Sequence, residues 1–134
     1  MTIDRIAAVQ AIYAAFGAGD LAAIQARVAP DTRWDFNGAR AEVPWHPPAD
    51  GPQGVARFLG CFMESVEVLQ FEPREFIHSG AHVVVEVRLK YRVRATGREV
   101  AQDQLHWWTF DESDRIARLR HFEDTAQVLA AVRG

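Results

Sequence analysis

Two histidines and a glutamate near the end of the chain, His106, His121 and Glu123, are the side chains best suited to acid/base chemistry. The ordinary pKa of histidine lies close to neutral pH, and a neighbouring carboxylate can form a proton-transfer pair with it. Burying an imidazole or a carboxylate without a partner is costly, so a fold tolerates these groups inside only when they are paired or hydrated. The elements that carry the three side chains decide whether they meet.

Other chemistries find less support in the sequence. The single cysteine, Cys61, excludes an internal disulfide and a thiolate metal cluster. His106, His121 and Glu123 could form a metal site only through tertiary packing. The sequence contains no glycine-rich phosphate loop, nucleophile elbow or dinucleotide fingerprint. We therefore expect neither a metal nor a cofactor, and we interpret His46 as a flexible loop residue rather than a catalytic one.

The composition is that of one globular domain, which we take to span residues 1–134. The formal net charge of −3 argues against nucleic acid as a partner, because phosphate binding needs a concentrated basic surface. The N-terminus lacks the basic and apolar regions of a signal peptide. No apolar run approaches the roughly 20 residues that span a bilayer, so we expect a cytoplasmic protein without a membrane partner.

Helical spacing of apolar residues predicts four helices, each after a capping or breaking residue. The predicted ranges are 3–19, 21–28, 54–66 and 125–132, with Asp4, Asp20 and Asp124 as N-caps and Pro30 ending the second helix. Four of the six prolines lie within 37–53. That segment is predicted to be a loop over a pocket mouth, with Trp45 near the ligand.

Alternating apolar and polar residues predict the strands, most clearly over 81–95. The further predicted strands are 34–36, 71–78, 100–110 and 115–123. The basic residues of 81–95 follow from the alternation, so we interpret them as a solvated outer face. Helices come first and strands later, which predicts an α+β fold with helices packed on one side of a curved antiparallel sheet.

The order of several motifs resembles the nuclear transport factor 2-like superfamily, in particular its SnoaL-like and ketosteroid isomerase-like members. Residues 9–21 are similar to the opening helix, which ends in Gly-Asp-Leu, and residues 51–59 (Gly-x-x-Gly-Val-x-x-Phe-Leu) resemble the third helix. Residues 106–110 and 115–126 are similar to the last hairpin. The resemblance implies a cone-shaped α+β domain, with a curved, mixed sheet wrapped around the N-terminal helices and one central pocket.

The catalytic residues of ketosteroid isomerases do not carry over. Their aspartate base corresponds to Phe36, their oxyanion-hole tyrosine to Ile12, and their oxyanion-hole acid to His106. Only His106 can still donate or accept a proton. The sequence therefore argues against steroid isomerisation by that mechanism.

The resemblance also implies which strand residues face the pocket. Facing residues of antiparallel strands lie about 4.5–5.5 Å apart, so His106, His121 and Glu123 are predicted to line one concave surface as catalytic residues. The alternative is structural, with Glu123 capping the last helix and His121 at the sheet rim. Asp35 and Asp103 are predicted to point away from the pocket. The predicted substrate-binding residues are Trp34, Phe36, Trp45, Tyr91, Gln104, Trp108 and Leu119.

Two classes of function remain open at this point. One is a cofactor-free acid/base enzyme of the isomerase, cyclase or dehydratase type, acting on a cyclic, mostly apolar substrate. The other is a non-catalytic ligand-binding or accessory domain. We also expect a homodimer, because exposed apolar patches favour association and related proteins pair sheet against sheet. The residues predicted for that outer face are Leu105, Trp107, Thr109, Ile116 and Phe122.

Overall fold

A computed structural model describes residues 3–134 and contains four helices and six strands within that range. The helices are α1 (Arg5–Ala18), α2 (Leu21–Gln25), α3 (Gly51–Ser65) and α4 (Thr125–Arg133). The strands are β1 (Val28–Phe36), β2 (Ala49–Asp50), β3 (Val66–Ser79), β4 (His82–Val93), β5 (Glu99–Phe110) and β6 (Ile116–Phe122). The predicted α+β class is confirmed.

All six strands form one sheet in the order β2-β1-β6-β5-β4-β3. Strands β1 and β6 pair in parallel, and the other neighbours are antiparallel, so the sheet is mixed. Helices α1, α2 and α3 cover the face on which the apolar residues of the strands are buried. No helix of the described residues is long and apolar enough to cross a membrane.

The three predicted helix caps are present in the structure. Each of Asp4, Asp20 and Asp124 accepts a backbone N–H from the first turn of its helix, at distances of 3.0, 3.1 and 3.2 Å. Such a bond supplies a partner to one of the amides that a helix start leaves free.

The structure corrects the prediction between the second helix and the first long strand. Helix α2 ends at Gln25 rather than at residue 28, and β1 begins at Val28 rather than at residue 34. Pro30 therefore lies inside a strand. The pairing of β1 with β6 is interrupted between Val28 and Arg33, so no ladder hydrogen bond requires the N–H that proline lacks.

Two further elements begin earlier than predicted. Helix α3 begins at Gly51 rather than at residue 54, with Pro52 in the first turn, where no intrahelical N–H bond is lost. Strand β3 begins at Val66 rather than at residue 71, directly after α3 ends. The predicted loop is therefore shorter, covering residues 37–48.

Strands β4 and β5 alternate as predicted. The residues of β4 from Val83 to Val93 are buried at every second position. In β5 the inward set, from Val100 to Phe110, includes Gln104, His106 and Trp108. The basic side chains of β4 lie on the opposite face, where they pair with acids of neighbouring strands. Arg88 lies 3.5 Å from Asp103, and Arg92 lies 2.9 Å from Glu99.

The outer face of the sheet differs from the prediction at Ile116. This side chain is fully buried in the core, whereas we expected it on the outer face. The pairing passes from Thr109↔Arg118 to Phe110↔Ile116, so Ala117 is an extra residue in β6. A bulge of this kind reverses the side-chain parity beyond it.

The remaining outer-face residues lie where they were predicted. Leu105 is 46% exposed, and the guanidinium of Arg120 lies 5.1 Å from the ring centroid of Trp107 and 5.2 Å from that of Phe122. These apolar groups form the outer patch, which we define as Leu105, Trp107 and Phe122.

Candidate functional site

The strand register brings the predicted catalytic histidines together. Phe36 of β1 pairs with His121 of β6, which pairs with His106 of β5. The two imidazole rings are stacked, with centroids 4.7 Å apart and planes inclined by 27°. Glu123 follows two positions after His121, so it faces the same side of the sheet.

A cavity of about 70 Å³ lies between these strands and the helices α1, α2 and α3. All ten of the predicted site residues line it: Trp34, Phe36, Trp45, Tyr91, Gln104, His106, Trp108, Leu119, His121 and Glu123. Most of the other lining residues are aliphatic or aromatic. This combination of an apolar wall and a few polar groups is typical of a small-molecule site.

The cavity is small in this conformation. A cavity of roughly 150 Å³ admits benzene, so a cyclic ligand requires the lining of this one to move. Trp45 and Glu123 are the lining residues outside helices and strands, and Trp45 belongs to the loop of residues 37–48. Displacement of this loop is the simplest way to enlarge the cavity.

The hydroxyl of Tyr13 in α1 bonds to two residues of β5, Trp108 and His106. It accepts the indole N–H of Trp108 at 3.0 Å and lies 2.8 Å from Nδ1 of His106. An indole N–H can only donate, so the tyrosine hydroxyl is free to donate its own proton to His106 Nδ1. The other ring nitrogen, Nε2, then donates to Oε1 of Gln104 at 3.0 Å. Both nitrogens of His106 are thus engaged.

The sequence does not point to Tyr13, because the resemblance places Ile12 at the position of the oxyanion-hole tyrosine of ketosteroid isomerases. Both residues line the cavity. Helix α1 is rich in alanine and apolar on most sides, so its pattern does not show which residue carries the polar contact. The signal that could have found Tyr13 is its hydroxyl, the only polar side-chain group in the helix between Gln10 and Ala18.

Both stacked imidazoles are neutral at pH 7 because burial favours the uncharged form. Burial lowers the pKa of His106 to about 3. Burial, followed by the proximity of His106, lowers the pKa of His121 to about 3, and the Glu123 carboxylate opposes this shift. The two rings therefore act as neutral hydrogen-bonding groups rather than as cations.

Three polar atoms of the cavity lining are buried without a hydrogen-bond partner in the described part of the chain. They are Nε1 of Trp34, the hydroxyl of Tyr91 and Nδ1 of His121. The great majority of buried polar atoms in proteins have a hydrogen-bond partner, so each exception calls for an explanation. Burial, and then the Glu123 carboxylate, raises the pKa of Tyr91, so its hydroxyl stays protonated. A bound ligand would provide these atoms with partners.

His46 contradicts our interpretation of it as a flexible loop residue. It is 3% exposed, stacks on Phe36 with ring centroids 5.7 Å apart, and has Nε2 2.8 Å from Oε1 of Glu123. The backbone N–H of Arg40 donates to its Nδ1 at 3.2 Å. Because Nδ1 is an acceptor, the ring proton lies on Nε2 and is donated to Glu123. The pair is therefore a neutral imidazole bonded to a carboxyl group.

Asn37 holds the backbone of Glu123 in place. Its side-chain oxygen accepts the N–H of Glu123 at 2.9 Å, and its side-chain nitrogen donates to the carbonyl of Glu123 at 3.0 Å. The sequence does not reveal this contact, because residues 37 and 123 lie 86 positions apart in the chain. Glu123 does not cap α4, since Asp124 does so.

The other acids and histidines lie outside the cavity. Asp35 bonds to Arg118 at 2.9 Å and Asp103 lies near Arg88, both on the outer face as predicted. His78 and His82 flank the turn between β3 and β4, where His82 accepts the indole N–H of Trp107. No group of three His, Cys, Asp or Glu residues suited to a metal ion occurs within residues 3–134.

Comparisons with known proteins agree with this fold. The profile of the SnoaL-like domain family matches residues 9–119. An NTF2-like protein of unknown function from Burkholderia pseudomallei K96243 is 25% identical, with a TM-score of 0.87 over 99% of this chain and 100% of that one. An NTF2-like protein from Burkholderia xenovorans LB400 is 28% identical, with a TM-score of 0.86 over 96% and 95%.

TerC, co-crystallised with polyporic acid, is 24% identical, with a TM-score of 0.83 over 97% of this chain and 98% of TerC. No curated protein sequence matches the chain significantly. The profile match covers most of the chain, and the sheet, helices and cavity are those expected from the resemblance. The chain belongs to the SnoaL-like domain family.

Proposed function

We propose that this domain is a cofactor-free acid/base enzyme, of the isomerase, cyclase or dehydratase type, acting on a cyclic and mostly apolar substrate. The observation that carries the proposal is the position of Glu123. Its side chain is 2% exposed, lies at the wall of an aromatic cavity and is held by His46 and Asn37. A buried carboxyl group in such a setting is suited to proton transfer.

In the proposed reaction, the Glu123 carboxylate takes a proton from a carbon next to a ring carbonyl. The electron pair of the broken C–H bond moves to the carbonyl oxygen, which becomes an enolate. The hydroxyl of Tyr91 and Nδ1 of His121 have no hydrogen-bond partner within residues 3–134 and are the donors we assign to this oxygen. In an isomerisation Glu123 returns the proton to another carbon. In a cyclisation the enolate attacks a second carbonyl, and Glu123 returns the proton to the alkoxide that forms. In a dehydration the β-hydroxyl leaves as water after it takes the proton from Glu123.

His106 has a different role in this proposal from the one the sequence suggested. Its two ring nitrogens are occupied by Tyr13 and Gln104, so it has no free position for a substrate proton. It acts as a positioning residue that stacks under His121. This occupancy also favours the second candidate, a domain that binds its ligand without turnover.

The two candidates separate in an exchange experiment that does not require the natural substrate. Purified protein in D₂O is incubated with small cyclic ketones, such as 2-cyclohexen-1-one, and loss of the protons next to the carbonyl is followed by NMR. We expect exchange faster than in buffer, and a loss of roughly 10²- to 10⁴-fold in Glu123→Gln. Glu112→Gln, an exposed substitution with the same change of charge, is the matched control.

A binding domain predicts a different outcome. Ketones would still bind, as shown by shifts of the Trp34 and Trp108 indole signals, but the protons next to their carbonyl would exchange no faster than in buffer. The ligand itself is a small molecule in either case. A protein of the same fold, TerC, is co-crystallised with one, polyporic acid.

A further inference from the structure

The charged side chains that line the cavity are acidic rather than basic. Among residues 3–134, the cavity lining contains one carboxyl group, that of Glu123, and no lysine or arginine. His46 donates to that carboxyl group through a neutral ring, because its Nδ1 accepts the N–H of Arg40. The side chains of the lining therefore include no cation to compensate a carboxylate.

The two histidines of the lining do not supply this charge. His106 is bonded through both ring nitrogens in its neutral form, and burial keeps the pKa of His121 at about 3. The Glu123 carboxylate is hydrogen-bonded to a neutral ring and so has no counter-charge there, and a second negative charge next to it would be costly. Aromatic rings favour cations, since their faces carry partial negative charge.

We propose that Glu123 selects the charge of the ligand, so that the cavity accepts neutral and cationic rings and excludes ring compounds that carry a carboxylate or another anionic group. The inference rests on the proposed ring-binding cavity and specifies the class of substrate that it takes. It concerns Glu123 of this chain and not the fold in general. Two like charges about 6 Å apart, at an effective dielectric constant of about 20, change a dissociation constant by roughly 100-fold.

Three ligands of similar size and different charge test the proposal: benzyl alcohol, benzylamine and benzoate. Each is titrated into ¹⁵N-labelled protein at pH 7, and the indole N–H signals of Trp34 and Trp108 report binding in the cavity. Trp107, on the outer face, is the internal control for non-specific effects. We expect benzylamine to bind at least as tightly as benzyl alcohol, and benzoate to bind on the order of 100-fold more weakly.

Glu123→Gln removes the charge and keeps an oxygen that can accept from His46. We expect the gap between benzyl alcohol and benzoate to close in this variant and to persist in Glu112→Gln. Benzoate binding to the native protein as tightly as benzyl alcohol would overturn the charge selection and leave the ring cavity in place. Failure of all three ligands to shift the cavity indoles would overturn both. The comparison of benzoate with benzyl alcohol in the native protein tests the charge selection even when Glu123→Gln does not fold.

Discussion

Two tyrosines line the same cavity, and the structure predicts opposite effects for the same substitution at each. Tyr13→Phe removes a hydroxyl that accepts from Trp108 Nε1 at 3.0 Å and lies 2.8 Å from His106 Nδ1. Tyr91→Phe removes a hydroxyl that has no partner among the residues that the structure describes. Both substitutions retain the ring, and with it contacts such as that of Tyr13 with Phe71, whose ring centroids lie 5.3 Å apart.

The change in the free energy of unfolding depends on how many buried polar groups each substitution leaves without a hydrogen-bond partner. A buried donor or acceptor without a partner costs about 1–3 kcal/mol. Tyr13→Phe leaves two such groups, on the buried residues Trp108 and His106, so we expect it to lower the free energy of unfolding by about 2–6 kcal/mol. Tyr91→Phe leaves none and removes an unsatisfied hydroxyl, so we expect a change between zero and a gain of about 1 kcal/mol.

Urea unfolding followed by far-ultraviolet circular dichroism measures both variants. An unchanged slope of the free energy of unfolding against urea concentration would show that each variant unfolds from the same compact state. A domain is stable by only about 5–15 kcal/mol, so the loss in Tyr13→Phe is easily resolved. Equal effects of the two substitutions, or a larger loss in Tyr91→Phe, would refute the assignment of the hydrogen-bond network.

Two further predictions concern acid stability and assembly. The pKa values of His106 and His121 are lowered to about 3, whereas an unfolded histidine titrates near 6.5, so the unfolded chain binds two protons that the folded one does not. The free energy of unfolding should therefore fall as the pH is lowered from about 6.5 towards 3, by up to about 2.7 kcal/mol per pH unit. In urea titrations at several pH values, His121→Asn should halve this pH dependence. The outer patch predicts a homodimer that Trp107→Arg dissociates, and sedimentation of the native protein as a 15.1 kDa monomer at micromolar concentration would contradict it.

The strand residues of the site were predictable because the side chains of a strand alternate between two faces. Once His106 was placed inward, the parity of β5 also placed Gln104 and Trp108 there, and all three line the cavity. Ile116 shows the limit of this reasoning. A single extra residue, Ala117, reverses the parity, and bulges leave no reliable mark in one sequence.

Contacts made by irregular segments were not predictable in the same way. His46 and Asn37 belong to a loop without periodicity, and both bond to Glu123, about 80 positions away in the chain. The proline content predicted a loop, but not which of its side chains would be buried. Proline restricts the backbone and leaves the direction of neighbouring side chains undetermined.

The hydrogen bonds of the cavity lining indicate which polar atoms are available to a ligand. The sequence predicts His106 as the main catalytic residue, but the hydrogen bonds of His106 are complete without a ligand. Within residues 3–134, the polar atoms of the cavity lining without partners belong to Trp34, Tyr91 and His121, on three different strands. Because partnerless buried atoms are rare in folded proteins, the ligand is expected to bond to these atoms rather than to His106. A substitution that removes such an atom and keeps the ring, as Tyr91→Phe does, should therefore affect binding more than stability, and Tyr13→Phe the reverse.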